Sequence, residues 1–510
     1  MATYIRNNAW NDGGTFSNSD LLWYAQGVGQ MMSRPLDATD SWWFFAAIHG
    51  EYVSGSQFPG WADIPGPPNV PALPLPSQGV RDRFWNQCQH QSWFFPPWHR
   101  GYLFALELHI REAVVSLGGP SSWALPYWDY LGPANQNRIP PAFTLPVLPD
   151  GTQNPLFVTA RYGPNSDGDI FVSPQVSEDC MSNNLYTGSN AATPRPGFGG
   201  PQTGFSHGGG RNGNLESNPH NLVHVDVGGQ SPNRQTWGLM SDPGIAALDP
   251  IFYLHHSNID RMWAKWNAAG NSNTDSSSWL NGPAFSGERI FSMPLPDGSA
   301  WDYTPADVES LNPLDYTYDN LPTAVQPQMA RSMLAKRLTR LGAGTRGATS
   351  MEESNMDTTS DSELVGANDK PLELTSSGVR VTVKLDTTVR QKMTRSLSSA
   401  SAAAPPDRAY LQLENVRGAG DAHKLSVFVN GSSVGTVALF GLRRASLKDD
   451  HHAGSGLTFE LDITDIVDRL HLDNALDADS LDVKVMPNGA VSDSAKISIG
   501  RVSVHREGHK

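Results

Sequence analysis

Cysteine is almost absent, with two residues in 510, which excludes a small fold stapled together by disulfides. Long apolar runs are absent too. No stretch approaches the roughly eighteen consecutive apolar residues that mark a membrane-spanning helix, so no span is expected. The opening M-A-T-Y-I-R-N-N-A-W has no basic segment leading into an apolar core. No signal peptide is therefore expected, which leaves a cytoplasmic location or export by another route. Positive charge is in short supply, with 37 Lys and Arg against 51 Asp and Glu and a formal net charge of −14. That balance speaks against a nucleic-acid partner. What remains is a globular chain long enough for two domains, with its oligomeric state open.

Histidine and tryptophan are where the chain is rich, with fifteen of each. The segment Leu248 to Trp266 reads L-D-P-I-F-Y-L-H-H-S-N-I-D-R-M-W-A-K-W. Asp249 followed by Pro250 predicts a helix start, an N-cap and then a proline at the first helical position. On that helix a histidine, His255 or His256, stands near Asp260, an acid that can orient it. His256 and Asp260 are four apart and share a face, as a metal-bound imidazole and its supporting carboxylate require. N-P-H-N-L-V-H-V adds His220 and His224, again four apart, with Pro219 placed to begin a helix. Upstream, S-W-W-F-F-A-A-I-H-G carries His49, and C-Q-H-Q-S-W-F-F-P-P-W-H-R-G-Y carries His90 and His99. Two sets of three imidazoles result. Imidazole suits copper, and two such sets without a bridging carboxylate favour copper over a single zinc.

Taken with their flanks, H-x8-H ending in F-x-x-P-W-H-R-x-Y, then P-H-N-x-x-H, then D-P-I-F-x-L-H-H-x-x-x-D-R-x-W resemble the tyrosinase and polyphenol oxidase family of dinuclear copper proteins. The resemblance spans roughly residues 1 to 320. It implies one copper ion held by His49, His90 and His99 and a second by His220, His224 and His256, with Asp260 behind His256. The choice of His256 over His255 follows the family's spacing to Asp260. It also implies O2 as co-substrate and small phenols such as tyrosine, DOPA or catechols as partners. In relatives a cysteine placed as Cys88 is to His90 forms a thioether to the histidine ring; the plain alternative is a buried thiol. Asn221 follows His220, and Glu216 precedes that histidine by four residues. They match a pair that holds a water thought to help deprotonate an incoming phenol, although an acid there also suits a helix start. The pair points to ortho-hydroxylation of monophenols as well as oxidation of o-diphenols to o-quinones. The alternatives are a catechol or o-aminophenol oxidase, or a haemocyanin-like O2 carrier.

The other nine histidines (His109, His207, His255, His423, His451, His452, His471, His505 and His509) are read as ordinary structural or surface residues. The adjacent His451 and His452 fall in a loop pattern. Trp42, Trp43, Trp93, Trp98, Trp237, Trp263 and Trp266 lie near the histidine motifs and are expected to wall the copper site, ordinary aromatic core being the alternative.

Helices are expected over 20–34 and 41–49 and over 98–117, the last starting after Pro96 and Pro97. The Pro-, Gly- and Asn-rich stretch 131–215 is read as a long wrapping loop. The fold class is therefore a mainly α-helical four-helix-bundle copper domain over 1–325. A flexible, protease-sensitive linker follows over 326–368, and a C-terminal antiparallel β-sandwich or barrel-like domain fills 369–510. Tyr316 and Tyr318, in Y-x-Y, resemble the signature that closes the family's catalytic domain. The C-terminal region resembles the covering domain of latent polyphenol oxidases. Phe440, in V-A-L-F-G-L-R-R, is the weak candidate for a plug side chain, a core position being the plainer reading.

Overall fold

The computed structural model describes residues 3–53, 60–188, 196–206, 210–233, 235–321, 329–343, 360–401, 404–448, 454–476 and 479–509. The chain forms two compact units. One comprises Met1–Glu178, Gln202–His207 and Asn218–Ala324; the other comprises Asp179–Pro201, Gly208–Ser217 and Val325–Lys510.

The first unit is built on the helices Ser19–Met32, Trp42–His49, Phe95–Ser116, Leu222–Gly228 and Ile251–Ala268. Each start has a local cause. Asn18 accepts from the backbone N–H of Asp20 at 2.9 Å, and Ser41 from that of Phe44 at 3.0 Å. The long helix begins at Phe95, three residues before the expected Trp98, because Pro96 and Pro97 sit inside its first turn, where a missing N–H costs nothing. Asp249 accepts from Ile251 N–H at 3.0 Å as expected, and the buried Arg161 grips the same carboxylate at 2.6 and 2.8 Å. Gly101 is required by a close approach. The ring of Tyr303 lies where a β-carbon would stand, and its hydroxyl donates to Trp98 O at 2.9 Å. Two small sheets complete the unit: Tyr4–Arg6 runs parallel to Tyr316–Tyr318, and Phe291–Pro294 pairs with Ala300–Tyr303. Through 131–215 the described residues form short helical turns, isolated bridges and one two-residue strand, Gly210–Arg211.

The second unit is one continuous sheet. Its strands run in the order Ser432–Ala438, Lys424–Val429, Ser480–Pro487, Val379–Leu385, Ser360–Ala367, Ser498–His509, Arg408–Arg417, Leu457–Asp462 and Gly210–Arg211, with Leu372–Glu373 on the side of Ser498–His509. Val379–Leu385, Arg408–Arg417, Lys424–Val429, Leu457–Asp462, Ser480–Pro487 and Ser498–His509 carry the period-two alternation of a strand. The sheet curls, so that Leu461 on one strand comes within 3.2 Å of where a β-carbon on Gly435 of another would lie. Val383, Leu411, Leu413, Val427, Val483, Val502 and Val504 fill its core. Phe440 is buried.

Two features of this unit differ from the expectation. Within the stretch read as linker, Met329–Arg340 is helical and Ser360–Ala367 is a strand of the sheet; residues 344–359 lie outside the described residues. Helices also stand between the strands, at Thr387–Ser398 and Thr464–Leu472. The first buries Val389, Met393 and Leu397, a spacing of four that is the signal for one face of a helix. His207, His451 and His452 lie outside the described residues. No helix among the described residues is long and apolar enough to cross a membrane.

Candidate metal centre

The first set of ligand atoms comes from two helices and a loop. His49 closes its helix and donates from Nδ1 to Pro243 O at 2.9 Å. His99, one turn into Phe95–Ser116, donates from Nδ1 to Phe95 O at 2.8 Å. His90 lies in irregular backbone pinned on both sides. Its N–H donates to Ser206 O at 3.0 Å, and Ser206 Oγ donates to its carbonyl at 2.8 Å. Together with Cys88 these three form a buried group whose ligand atoms all lie within 4.8 Å of one another.

The second set is His220, His224, His255 and His256, equally close and buried. His220 donates from Nδ1 to Asn221 Oδ1 at 2.8 Å, and His224 from Nδ1 to Met240 O at 2.7 Å. His220 does not sit in a regular helix beginning at Pro219. It lies in a widened, kinked turn over Glu216–Asn221, with Asn218 extended, that leads into Leu222–Gly228. The turn still presents His220 and His224 to one point, with ring centroids 4.5 Å apart.

These hydrogen bonds decide which nitrogen is available. An oxygen of a carbonyl or amide group can only accept, so His49, His99, His220 and His224 carry their proton on Nδ1 and turn the lone pair of Nε2 inward. Burial, reinforced by the neighbouring imidazoles, pushes His99, His224, His255 and His256 well below the ordinary histidine range, which keeps them in the neutral form that binds a metal. His224 Nε2 and His256 Nε2 face each other at 3.3 Å. Two nitrogens each about 2.0 Å from one ion, at a roughly tetrahedral angle, have about this separation. The donor set fits a metal pair. The rings of His99 and His256 stack across the two sets at 4.3 Å between centroids. No carboxylate belongs to either set, which suits two copper ions.

Aromatic rings seal the pair. Phe252 packs on His256 at 4.1 Å and on His49 at 4.7 Å, and Phe95 packs on His99 at 4.6 Å and on His220 at 4.7 Å. Each phenylalanine thus spans both sets. Of the tryptophans expected at the wall, Trp98 meets His99 edge-on at 4.8 Å, whereas Trp42 packs on Tyr253 and Trp263 lies under the Arg100 guanidinium. The phenylalanines were legible in the motifs F-F-P-P-W-H and D-P-I-F, and the expectation passed over them.

Asp260 has a different role from the one expected. Arg100 Nε at 2.5 Å, Arg6 Nη1 at 3.3 Å and the hydroxyls of Tyr316 and Tyr318, both at 2.5 Å, donate to its two oxygens. Burial opposes ionisation, but the two guanidinium groups and the two phenols outweigh it and hold the carboxyl below its usual range. With four donors already in place Asp260 is saturated, and Nδ1 of His256 is buried without an acceptor. Asp260 ties the N-terminal strand and the Y-x-Y strand to the helix, one turn beyond the ligands. His255, read as an ordinary neighbour, offers one ring nitrogen to the same buried group.

Comparison with known proteins agrees with this geometry. Residues 39–269 match the family described as the common central domain of tyrosinase. A tyrosinase of Hahella sp. (strain CCB-MM4) is 34% identical over 96% of this chain and 97% of its own length. The chain belongs to the tyrosinase family. Catechol oxidase B of Solanum tuberosum is 33% identical over 38% of this chain and 34% of its own length. Among solved structures, that of latent apple tyrosinase superposes with a TM-score of 0.58 at 20% identity, covering 99% of this chain and 97% of that one. Residues 361–507 match a domain of unknown function, DUF7868. This tyrosinase-family oxidoreductase therefore carries two histidine-rich sites suited to a dinuclear copper centre, for which O2 is the family's co-substrate.

Proposed function

We propose that this chain hydroxylates monophenols at the ortho position and oxidises o-diphenols to o-quinones, and that its C-terminal unit holds it latent. The ligands in this reading are His49, His90 and His99 for one copper ion and His220, His224 and His256 for the other. Copper, when bound, supplies the redox chemistry with O2.

The observation that carries the hydroxylase reading is at Asn221. Its Oδ1 accepts from His220 and fixes that ring, while its Nδ2 is buried with no acceptor. An amide N–H in that position can hold a water, and Glu216, also buried, opens the same turn and offers the carboxylate. A phenol of pKa about 10 costs roughly 4 kcal/mol to ionise at pH 7, so a base held at the entrance lowers a real barrier. Glu216 takes the phenol's proton through the water that Asn221 positions. A catechol oxidase without the hydroxylase step is the second reading, favoured by the similarity to the potato enzyme.

The proposal extends to Cys88. Its Sγ lies beside the His90 ring, 3.5 Å from Nδ1 and 3.6 Å from Nε2, and 3.4 Å from Nε2 of His99. A thioether there would hold the ring of a ligand that lacks a helix to fix it. Its formation joins sulfur to a ring carbon with loss of the S–H and C–H hydrogens, two protons and two electrons that O2 would take up with copper bound. The intact mass after reduction should therefore fall short by two hydrogens, and an unshifted mass refutes it.

Latency is supported by the whole-chain likeness to latent apple tyrosinase. Tyrosine and catechol turnover, measured before and after limited proteolysis within 331–365, test the reading together. Turnover of both that rises on cleavage is expected. Catechol turnover alone removes the hydroxylase claim. No turnover of either, with copper intact, makes the chain an O2 carrier.

A further inference from the structure

We infer that the strand Leu457–Asp462 of the β unit is a docking surface for a strand lent by the tyrosinase domain's own sequence, and that this pairing positions Glu216. Gly210–Arg211 lies inside residues 39–269, which match the central domain of tyrosinase, yet it belongs with the sheet. Gly210 pairs with Leu457 and Arg211 with Thr458, in parallel. The other pairings of that sheet among the described residues are antiparallel. Arg211 also donates from Nη2 to Gln412 Oε1 at 3.2 Å. Without this segment Leu457–Asp462 would end the sheet. An edge strand presents a row of unmet N–H and C=O groups to any strand that can reach it. Gly210 has a φ of +143°, which glycine adopts freely and a residue with a β-carbon adopts only under strain.

The backbone from this strand to Glu216 has no slack. Asn214 N–H donates to Gly197 O at 2.9 Å, and Leu215 N–H donates to Phe198 O at 3.1 Å. Asn183 Nδ2 donates to Asn214 Oδ1 at 2.6 Å. A β-carbon on Gly213 would stand 2.7 Å from the Gly199 backbone, so the two segments touch there. All of these residues belong to the β unit, and Leu215 and Glu216 are fully buried. The division between the two units falls inside the widened turn Glu216–Asn221, after Ser217. Beyond it, Asn218 is held by residues of the helical unit: its Oδ1 accepts from Ser177 N–H at 3.1 Å, and its Nδ2 donates to Gln175 O at 3.1 Å. Glu216 thus takes its position from the sheet along a pinned backbone, while Asn221 takes its own from the helix it introduces. The role given to Glu216 rests on the hydroxylase reading above; the docking of the strand does not.

Hydrogen exchange of the copper-loaded full chain, read by mass spectrometry, tests the docking. Gly210→Val strains the strand, and Thr458→Pro disturbs its partner where the pairing with Arg408–Arg417 is already irregular. Both variants should speed exchange over 210–221 roughly tenfold or more, with Val379–Leu385 unchanged as the sign of an intact sheet. A cut within 331–365 leaves both strands of the pairing whole. In protein cut there, both variants should lower tyrosine turnover relative to catechol turnover by about tenfold or more, because only the phenol needs a well-placed base. Faster exchange confined to 210–213, with 214–221 unchanged, overturns the inference. So does a tyrosine-to-catechol ratio equal to that of the unsubstituted chain. Coupled exchange without any tyrosine turnover in the unsubstituted chain removes the hydroxylase reading and leaves the docking standing.

Discussion

The helical unit and the β unit store their information differently. In the helical unit the chemistry sits on a few positions, seven histidines and one cysteine, each aimed by its own hydrogen bond or packed ring, and the chain between them is largely irregular. In the β unit no single side chain stands apart, and the alternation along many strands carries the fold together. A change at one point should therefore be all-or-none in the first unit and graded in the second.

The sharpest test is His224→Ala. Removing partners that only orient a ligand costs roughly 10–100-fold in metal affinity or activity, so loss of a ligand itself should cost on the order of a hundredfold or more. Copper per chain, read by atomic absorption, should fall while the strand signature of the β unit is unchanged. A variant that keeps both copper ions would remove His224 from the proposed ligands.

Asp260→Asn comes next and separates scaffold from site within the helical unit. It removes the negative charge shared by Arg6 and Arg100; Arg6 keeps Glu107, but Arg100 is left buried without an acidic partner, a loss of about 3–5 kcal/mol. Because the carboxylate is bonded to those arginines and to Tyr316 and Tyr318 rather than to His256, the melting temperature should drop much further than copper affinity. Copper loss as severe as in His224→Ala would restore Asp260 to a role behind the ligand.

In the β unit, Leu413→Ala removes a fully buried side chain on a central strand and should cost about 2–5 kcal/mol. Copper content should not change. The readout is the denaturant midpoint of that unit, and a loss of copper would break the contrast drawn above.

How much was legible follows from the same difference. Histidines four apart, and motifs whose flanks repeat a family pattern, pointed to the residues that the structure gathers, because the elements carrying them are short and locally determined. Strands such as Val379–Leu385 and Arg408–Arg417 were legible from alternation alone. What could not be read was set by distant partners. Asp260 looks like a histidine's neighbour until Arg6, 254 residues away, and Tyr316, 56 residues away, arrive at it. Whether Trp98 or Trp263 faces the histidines depends on the rotation of a helix, which aromatic content does not reveal. The helix Thr387–Ser398 was missed for a different reason, since its spacing of four was present but lay inside a region already read in steps of two.

The smallest expected effect uses acid to pull the units apart. Burial pushes His109 in the helical unit and His505 in the β unit down to about 4. The unfolded chain takes up protons at these positions near pH 6.5 while the folded chain stays neutral, so stability is full above about 6.5 and falls as pH drops toward 4. Each such group accounts for at most about 3 kcal/mol over that range. The helical unit adds His99, His224, His255 and His256, all pushed down by burial first and by neighbouring imidazoles, His49 and His220 among them, second. Without copper it should therefore lose stability more steeply with acid than the β unit. All fifteen tryptophans lie at or before Trp301, within the helical unit, so their fluorescence reports that unit alone. The fluorescence transition should precede the loss of strand signal in circular dichroism as pH falls from 6.5 to 4. Coincident transitions would mean that the two units unfold as one, and the division into a pointwise and a distributed half would then describe the sequence but not the stability.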